Sequence, residues 1–500
     1  MVHTTLADAL ADAARNTPDR VLLIDGDVEL SCRELSDRAT ALAGHMTRRM
    51  PAGSVVSFML PNWHEAAIIY LAATLAGMVA NPILPSLRDH ELRFILEDAD
   101  SRMIFIPERF GQHDYAGMLT RVCADMASPP DVVVVRGHSH IAFDGLSDAP
   151  VGTLPALDPD TVRMILYTSG TTGRPKGVLH SHKSINALIY QLRDHWLIEP
   201  GDTFLVPSPI AHIGGSIYAF ECPLLLGTTA VLMQRWNADD GVALMTEHRC
   251  THMAGATPFL EQLLNAAERA GTRLPDLKVF ICGGASVPPS LIRRASGYFE
   301  HALVSRVYGS TEVPVTTVGS LRPGDVDHAA ETDGRPGVAE IRLVSGEIRA
   351  RGPQMLLGYL HPEDNADSFD SQGFFRTGDL GRWVDGDYLT VSGRAKDLII
   401  RNGENISPKE VEDILVGELG IAEIAVVGVP DDRTGERACA VIVPADDRRP
   451  DVAALGKVLE KAGVAKFKTP EQVEIWEALP KNDAGKVLKH HIRATLTKVD

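Results

Sequence analysis

Short apolar runs alternate with stretches of helical periodicity through most of this chain. The apolar runs occupy residues 55–60, 103–106, 132–135, 164–167, 203–206, 229–233 and 279–281. Helical periodicity separates most of them, for example at residues 184–196 and 258–270. This alternation is typical of mainly parallel sheets that are covered by helices on both faces. We therefore predict an α/β fold.

The sequence texture changes twice toward the C-terminus. Short β runs at residues 339–344 and 347–350, broken by glycines, indicate a β-rich subdomain from about residue 321. Beyond Gly393, helices are predicted at 408–418 and 453–463, and strands at 423–429, 438–443 and 473–476. We predict a large N-terminal domain, residues 1–393, with two α/β subdomains and the β-rich subdomain. A small α+β C-terminal domain, residues 394–500, would follow it.

Two local patterns near the N-terminus are also informative. Residues 21–30 are typical of a β-hairpin that turns at Asp25-Gly26, and a helix is predicted at 34–49. Residues 66–80 are apolar and rich in small side chains, but they fall short of the ~20 residues that span a bilayer. We predict a buried helix there and no transmembrane segment. The first sixteen residues carry acids and no basic leader, which argues against a signal peptide.

Charge and cysteine usage exclude several classes of partner. The 500 residues contain 49 Lys and Arg against 66 Asp and Glu, a net charge of −17. Such a surface repels nucleic acids and anionic membranes. The six cysteines form no C-x-x-C pair, which is typical of reduced thiols, and we expect a cytoplasmic protein. The oligomeric state stays open, a homodimer included.

A glycine-rich loop is the strongest chemical signal in the sequence. It reads Tyr167-Thr168-Ser169-Gly170-Thr171-Thr172-Gly173-Arg174-Pro175-Lys176-Gly177 and follows an apolar strand. Glycines let backbone amides converge on phosphate oxygens, and a lysine adds a positive charge. A Walker site is excluded because the Lys-Gly order is reversed and an apolar strand, not a helix, follows. A solvated hairpin loop is the alternative for this segment alone.

Four further motifs accompany this loop in the chain. They are Tyr308-Gly309-Ser310-Thr311-Glu312, Thr377-Gly378-Asp379, the pair Gly393–Asp397 and Asn402–Ile406, and Pro480–Lys486. With these five motifs in order, the sequence resembles the adenylate-forming superfamily of acyl-CoA synthetases, adenylation domains and insect luciferases. The resemblance implies an ATP-dependent acyl-CoA ligase. A carboxylic acid would be activated as acyl-AMP with release of pyrophosphate, and coenzyme A would then take the acyl group.

The resemblance also implies roles for individual residues. Lys486 would stabilise the meeting of the substrate carboxylate with the α-phosphate, with His212, Glu312 and Thr168 as further catalytic residues. Glu312 would ligate Mg²⁺. The ATP-binding residues would be Thr168, Ser169, Gly170, Thr171, Thr172, Gly173, Lys176, Gly283, Gly284, Ala285, Tyr308, Gly309, Ser310, Thr311, Asp379, Arg394 and Lys486.

The same resemblance implies which residues would contact the acyl group and which would contact the thiol substrate. The acyl pocket would be lined by His212, Ile213, Gly214, Ile217, Tyr218, Val313 and Pro314. Members that activate amino acids carry an aspartate at the position of Ile213, so a fatty, alicyclic or aryl acid is expected here. Coenzyme A would contact Arg401, Asn402 and Gly403, and a mobile C-terminal domain would pivot at Lys396.

Three other functions remain as alternatives. The first is a fatty acyl-AMP ligase that loads a carrier protein; such enzymes carry an insertion before the hinge, and residues 352–393 are too compact for one. The second is a luciferase-like oxygenase, and the third is a nucleotide-binding pseudoenzyme. A zinc site at His180 and His182 is disfavoured because no third ligand accompanies the pair.

Overall fold

The computed structural model describes residues 3–146, 152–168, 174–284, 287–402, 404–431, 433–482 and 485–497. It confirms the predicted α/β class, with a large N-terminal and a small C-terminal domain. Among the described residues, no helix combines the length and the apolarity that a membrane crossing requires.

An eight-stranded sheet carries the first half of the N-terminal region. Five of its seven strand pairs are parallel, and they run from Val162–Thr168 to the edge strand Ile141–Ala142. The two pairs at the opposite edge are antiparallel. In spatial order the strands are Gly358–Tyr359, Lys176–Ser181, Val162–Thr168, Val79–Pro82, Val55–Phe58, Ser101–Pro107, Asp131–Val135 and Ile141–Ala142. A short separate hairpin joins Arg109–Phe110 to His113–Asp114.

A seven-stranded sheet carries the second half. The predicted N-terminal hairpin is confirmed, and it closes one edge of this sheet because Val21–Asp25 pairs in parallel with Thr229–Leu232. In spatial order the strands are Leu303–Arg306, Val279–Cys282, His252–Gly255, Thr203–Val206, Thr229–Leu232, Val21–Asp25 and Val28–Ser31. Five of the six strand pairs are parallel, as the alternating pattern predicts.

Helices cover both sheets and contribute to the core together with the strands. The α-helices are Leu6–Asn16, Cys32–Arg49, His64–Leu75, Asp89–Asp98, Tyr115–Ala124, His182–His195, Ile213–Ser216, Cys222–Leu225, Ala238–Glu247, Thr257–Ala270, Pro289–Tyr298, Val326–Glu331, Pro408–Leu415, Val452–Lys461 and Lys489–Leu496. A π-helical turn, Ile217–Glu221, joins the seventh to the eighth. Ser31 and Glu34 form a capping box that fixes the start of the second helix.

The buried helix predicted at 66–80 is correct in its first part and wrong in its last. The helix His64–Leu75 ends before Gly77, whose φ of 65° no helical residue adopts. Val79–Pro82 then runs as a fully buried strand in the middle of the eight-stranded sheet. Apolar residues predominate in both the helix and the strand, because both elements are almost entirely buried. Composition alone therefore does not distinguish them.

Two smaller sheets follow. The glycine-broken β runs form an antiparallel sheet of Glu340–Val344, Glu347–Arg351, Phe375–Val384 and Tyr388–Arg394. The C-terminal sheet contains Glu404–Ile406, Ile399–Arg401, Gly435–Pro444, Ile421–Asp431 and Gln472–Ile475. The helices Pro408–Leu415 and Val452–Lys461 pack their buried leucines and Val411 against this sheet. The boundary at residue 393 stays a prediction.

Candidate active site

Three residues predicted to bind the nucleotide form one hydrogen-bonded network. The Tyr308 hydroxyl donates to Asp379 Oδ2 at 2.7 Å, and Arg394 Nε lies 3.0 Å from Asp379 Oδ1. Asp379 and Arg394 face each other on the hairpin Phe375–Val384 and Tyr388–Arg394, whereas Tyr308 follows a strand of the seven-stranded sheet. Burial raises the pKa of Tyr308 well above its usual value, and the Asp379 charge adds to this effect. The phenol therefore stays a donor.

Glycines allow the backbone to pack closely beside this network. A Cβ on Gly283 would lie 2.9 Å from Val307 Cγ2, and one on Gly309 would lie 2.6 Å from Val315 N. Gly284 has φ of 84° and open space on its Cβ side. Only glycine satisfies these constraints without a backbone shift. Ala285 lies outside the described residues.

The glycine-rich loop is bounded by a described hairpin. Thr168 and Lys176 pair directly at the ends of two antiparallel strands, so the loop leaves and re-enters the sheet at one point. Ser169, Gly170, Thr171, Thr172 and Gly173 lie outside the described residues. The Lys176 ammonium lies 3.2 Å from Asp364 Oδ1 and 5.0 Å from the centre of the Tyr359 ring.

Glu312 is held from two directions. Tyr359 donates a 3.1 Å hydrogen bond to its Oε1, and the His180 Nε2 lies 2.8 Å from the carbonyl oxygen of the preceding Thr311. Burial lowers the pKa of His180 to about 4, so a neutral imidazole donates this bond. His180 therefore positions the Glu312 segment and is not free for the disfavoured zinc site. In the described ranges the one three-residue cluster of potential metal ligands is Asp25, His64 and Glu65, and Arg136 bridges its two carboxylates.

Lys486 lies within electrostatic range of Asp379 and Arg394 although it belongs to the C-terminal domain. The residue is solvent-exposed, yet the surroundings of its ammonium group lower its pKa to about 8. Desolvation is the main cause, and the Arg394 charge adds to it while Asp379 opposes it. Its loop is fixed internally because the Lys486 backbone N–H donates to Asn482 Oδ1 at 2.8 Å. Beside it, a Cβ on Gly485 would lie 3.5 Å from Pro258 Cγ, which places this loop on the N-terminal domain.

The residues predicted for the acyl pocket fall into two groups. His212, Ile213 and Gly214 are half-buried at the start of the helix Ile213–Ser216. The remaining four are buried: Ile217, Tyr218, Val313 and Pro314. Tyr218 stacks on Phe204, with ring centres 5.2 Å apart, so it also serves the core of the seven-stranded sheet.

The predicted pivot and thiol-binding residues lie together in sequence and structure. Lys396 lies in the short 3₁₀ turn Ala395–Asp397, between the last N-terminal hairpin and the C-terminal sheet. Arg401 makes two 2.8 Å hydrogen bonds to Glu471, and the Asn402 N–H donates to the Thr434 carbonyl at 2.8 Å. Gly403 lies outside the described residues.

The structure adds features that the sequence did not reveal. Tyr359 and Asp364 contact two predicted site residues, but no motif surrounds either of them. A cleft of about 660 Å³ also opens where the C-terminal ends of both large sheets meet. Its lining includes Leu84, Phe110, Pro209, Arg235, Trp236 and Phe259.

The fold is that of a large α/β domain with a small C-terminal domain, and the Gly485–Lys486 end of a C-terminal loop packs near Pro258 of the large domain. The family profile described as AMP-binding enzyme matches residues 10–360, and the profile of the AMP-binding enzyme C-terminal domain matches residues 410–486. The chain belongs to the AMP-binding enzyme family.

Two relatives that are named as CoA ligases match almost the whole chain. The medium-chain fatty-acid–CoA ligase of Escherichia coli is 32% identical over 99% of this chain and 91% of its own length. A methyl-dioxo-octahydro-indenyl-propanoyl:CoA ligase of Rhodococcus jostii is 32% identical over 98% of each chain. The crystal structure of ATP-bound MatB from Rhodopseudomonas palustris superposes with a TM-score of 0.88 at 28% identity, over 99% of each chain.

Proposed function

We propose that this protein is an ATP-dependent acyl-CoA ligase for hydrophobic carboxylic acids. The substrate carboxylate attacks the α-phosphorus of ATP, the bond to pyrophosphate breaks, and acyl-AMP forms. The sulfur of coenzyme A then attacks the acyl carbon, AMP leaves, and the thiol proton is released. The observation that carries the proposal is that Lys486 lies within electrostatic range of the paired Asp379 and Arg394.

Lys486 supplies what the first step requires. Both reactants are anions, so a cation between them lowers the barrier. A unit charge about 4 Å away at an effective dielectric near 20 contributes roughly 4 kcal/mol, or about a thousandfold in rate. Asp379, with Arg394, would hold the ribose hydroxyls, and the Tyr308 ring would lie against adenine. The loop from Thr168 to Lys176 would bind the β- and γ-phosphates.

The residues present fit a magnesium ion. Glu312 offers a carboxylate oxygen, the ligand type that Mg²⁺ prefers. Its Oε1 is occupied by Tyr359, and within the described ranges no hydrogen bond occupies Oε2 and no cationic side chain pairs with the carboxylate. When bound, the ion would supply positive charge at the ATP phosphates. Glu312 would hold it.

The acyl side favours an uncharged substrate body. Ile213 occupies the position where a substrate ammonium would need an acidic partner, and an unpaired buried ammonium costs several kcal/mol. The Cβ sides of Gly214 and Gly284 face open space, which leaves room for an apolar group. The Escherichia coli and Rhodococcus jostii relatives are named for a fatty acid and for a fused-ring acid, which supports this substrate class.

Coenzyme A is the proposed thiol acceptor. Both of those relatives are named as CoA ligases, and this favours free CoA over a carrier protein. Two residues that line the cleft between the large sheets are close in sequence to the candidate site. Pro209 lies three residues before His212, and Phe259 follows Pro258, the residue that Gly485 approaches. We expect Arg401, Asn402 and Gly403 to contact the thiol arm after the C-terminal domain pivots at Lys396.

One assay tests the reaction class and the substrate together. The protein is incubated with Mg-ATP, CoA and a panel of fatty, alicyclic and aryl acids, and thioesters are identified by mass. Lys486→Ala should reduce acyl-AMP formation by two or more orders of magnitude. The matched control is Lys481→Ala in the same loop, since Lys481 pairs with Glu423 at 2.6 Å. Thioester formation only with a holo carrier protein, oxygen uptake, or ATP binding without pyrophosphate release would contradict the proposal.

A further inference from the structure

Tyr359 lies between two groups of opposite charge in the candidate active site. Its hydroxyl donates to Glu312 Oε1 at 3.1 Å, and its ring centre lies 5.0 Å from the Lys176 ammonium. The residue is buried at the edge of the eight-stranded sheet, where it pairs with Val178 two residues beyond Lys176. One side chain therefore contacts both the candidate magnesium ligand and the candidate phosphate-binding cation.

The hydroxyl donates to one of the two carboxylate oxygens of Glu312. A phenol that donates to one carboxylate oxygen fixes the orientation of the whole carboxylate. The hydrogen bond to Oε1 therefore leaves Oε2 as the oxygen of Glu312 that can face a cation.

The ring is the second functional part of Tyr359. An ammonium near an aromatic face is attracted by the ring quadrupole. Lys176 also pairs with Asp364 at 3.2 Å, and Arg174 binds the other oxygen of the same carboxylate at 2.7 Å. The segment from Tyr359 to Asp364 thus holds the described end of the glycine-rich loop. Strand pairing fixes this segment, because the Leu360 N–H donates to the Gly177 carbonyl at 2.8 Å and the Leu357 N–H donates to the Leu179 carbonyl at 2.9 Å.

We propose that Tyr359 is a positioning residue for the adenylation step. Its hydroxyl directs the free oxygen of Glu312 toward the divalent cation of the ATP complex, and its ring holds Lys176 toward the phosphates. This proposal rests on the proposed function, in which Glu312 holds the ion. The two parts of the side chain have separable effects, since phenylalanine removes only the hydroxyl and leucine removes the ring as well.

Calorimetric titration with a non-hydrolysable ATP analogue separates these effects. The dissociation constant is measured with Mg²⁺ and again with EDTA, for the wild type, Tyr359→Phe and Tyr359→Leu. Tyr359→Phe should weaken binding about 10–100-fold with Mg²⁺, the usual effect of losing a group that orients a metal ligand, and less than about twofold with EDTA. Tyr359→Leu should weaken binding under both conditions because Lys176 loses the ring.

Tyr388→Phe is the matched control. Tyr388 is also a buried tyrosine that donates to a carboxylate, Asp325 Oδ2 at 3.1 Å, and neither residue contacts the candidate site. This variant should keep wild-type affinity under both conditions. Thermal unfolding of each variant shows whether it is folded.

The variant Glu312→Gln gives a second test. When Tyr359→Phe is added to Glu312→Gln, the Mg²⁺-dependent affinity should change less than about twofold, because the carboxylate that Tyr359 orients is already absent.

The outcomes separate this inference from the proposed function. Wild-type protein that binds the analogue equally well with Mg²⁺ and with EDTA would contradict the assignment of Glu312 as the magnesium ligand, and this inference with it. The proposed function is tested separately, because the thioester assay contradicts it only if no thioester with free CoA forms. A clear Mg²⁺ effect in the wild type that Tyr359→Phe leaves intact would overturn the inference alone. A loss of equal size in Tyr388→Phe would overturn it as well, because the effect would then be general to buried phenols.

Discussion

The hydroxyl of Tyr308 donates to the carboxylate of Asp379 at 2.7 Å, although 71 residues separate the two along the chain. Tyr308 follows a parallel strand of the large domain, and Asp379 lies on the antiparallel hairpin that leads to the C-terminal domain. This contact links the residue proposed to lie against adenine to the residue proposed to bind the ribose. It also fixes Arg394, which faces the other oxygen of Asp379 and adds to the charge around Lys486.

Removal of the Asp379 carboxylate should weaken ATP binding. Hydrogen bonds to a charged group contribute about 1.5–3 kcal/mol each, so Asp379→Ala should raise the KM for ATP roughly 10–100-fold. Asp379→Asn should have a smaller effect because an acceptor oxygen remains. The control is Asp385→Ala, since Asp385 lies in the turn of the same hairpin and pairs with His328, away from the candidate site. An unchanged KM in Asp379→Ala would contradict the ribose assignment.

The pH dependence of adenylation should report the Lys486 ammonium. Its pKa of about 8 is below the ordinary value of 10.5, so the group is cationic below pH 8 and loses its charge as the pH rises through 8. We expect kcat/KM for acyl-AMP formation to fall about tenfold per pH unit well above that value. Lys486→Arg should remove this alkaline decline, because a guanidinium stays protonated. A wild-type profile that is flat to about pH 9.5 would argue against the assignment.

Restriction of the backbone at the pivot should separate the two half-reactions. Lys396 lies in the 3₁₀ turn between the hairpin Tyr388–Arg394 and the C-terminal sheet. Proline fixes φ and removes the N–H, so Lys396→Pro should stall thioester formation while acyl-AMP formation continues. Lys396→Ala keeps the backbone free and should preserve both steps. Rapid-quench measurement of acyl-AMP and thioester follows each step, and normal thioester production by the proline variant would contradict the pivot.

Loss of one partner of a fully buried ion pair should destabilise the large domain. The side chains of Arg163 and Glu221 are 0% and 1% exposed and lie 2.7 Å apart, and Tyr70 also hydrogen-bonds to Glu221. Glu221→Ala leaves an unpaired charge in the core and should lower the free energy of unfolding by about 3–5 kcal/mol. The double variant that combines Arg163→Met with Glu221→Leu should recover most of this loss, because neither charge then remains in the core. Urea denaturation measures both, and a Glu221→Ala variant as stable as the wild type would contradict the prediction.

Two adjacent glycines should respond differently to substitution. A Cβ on Gly215 would lie 2.1 Å from the Pro209 carbonyl oxygen, so Gly215→Ala should destabilise the protein. A Cβ on Gly214 meets no atom within 4 Å, so Gly214→Leu should fold normally. If this space receives the acyl group, Gly214→Leu should lower kcat/KM for long acids at least about tenfold relative to short ones. Equal losses for both acid lengths would place the acyl group elsewhere.

Much of the secondary structure could be read from local patterns. The run at 203–206 is a strand with those same bounds, and the periodic stretch at 184–196 is the helix His182–His195. These patterns are reliable because side-chain periodicity follows directly from backbone geometry. The helix predicted to reach residue 80 was wrong because an element that is buried on all sides has no polar face to mark its period.

The candidate site could be predicted only in part. Residues inside motifs, such as Tyr308, Asp379 and Arg394, are brought together as the resemblance implies. Tyr359 and Asp364 gave no signal, because their roles depend on a strand pairing between Val178 and Tyr359. Arg163 directly precedes the apolar run at 164–167, and no local pattern indicates that its partner, Glu221, lies 58 residues away.

The sequence by itself determined the α/β class, the order of the motifs and the chemical types of side chain available for the reaction. Those properties depend on composition, on periodicity and on short segments whose residues are neighbours in the chain. Only the tertiary structure decided which of these side chains meet, including the approach of Lys486 to Asp379 and of Tyr359 to Glu312. Such contacts depend on strand order and on domain packing, which join residues that no local interaction relates.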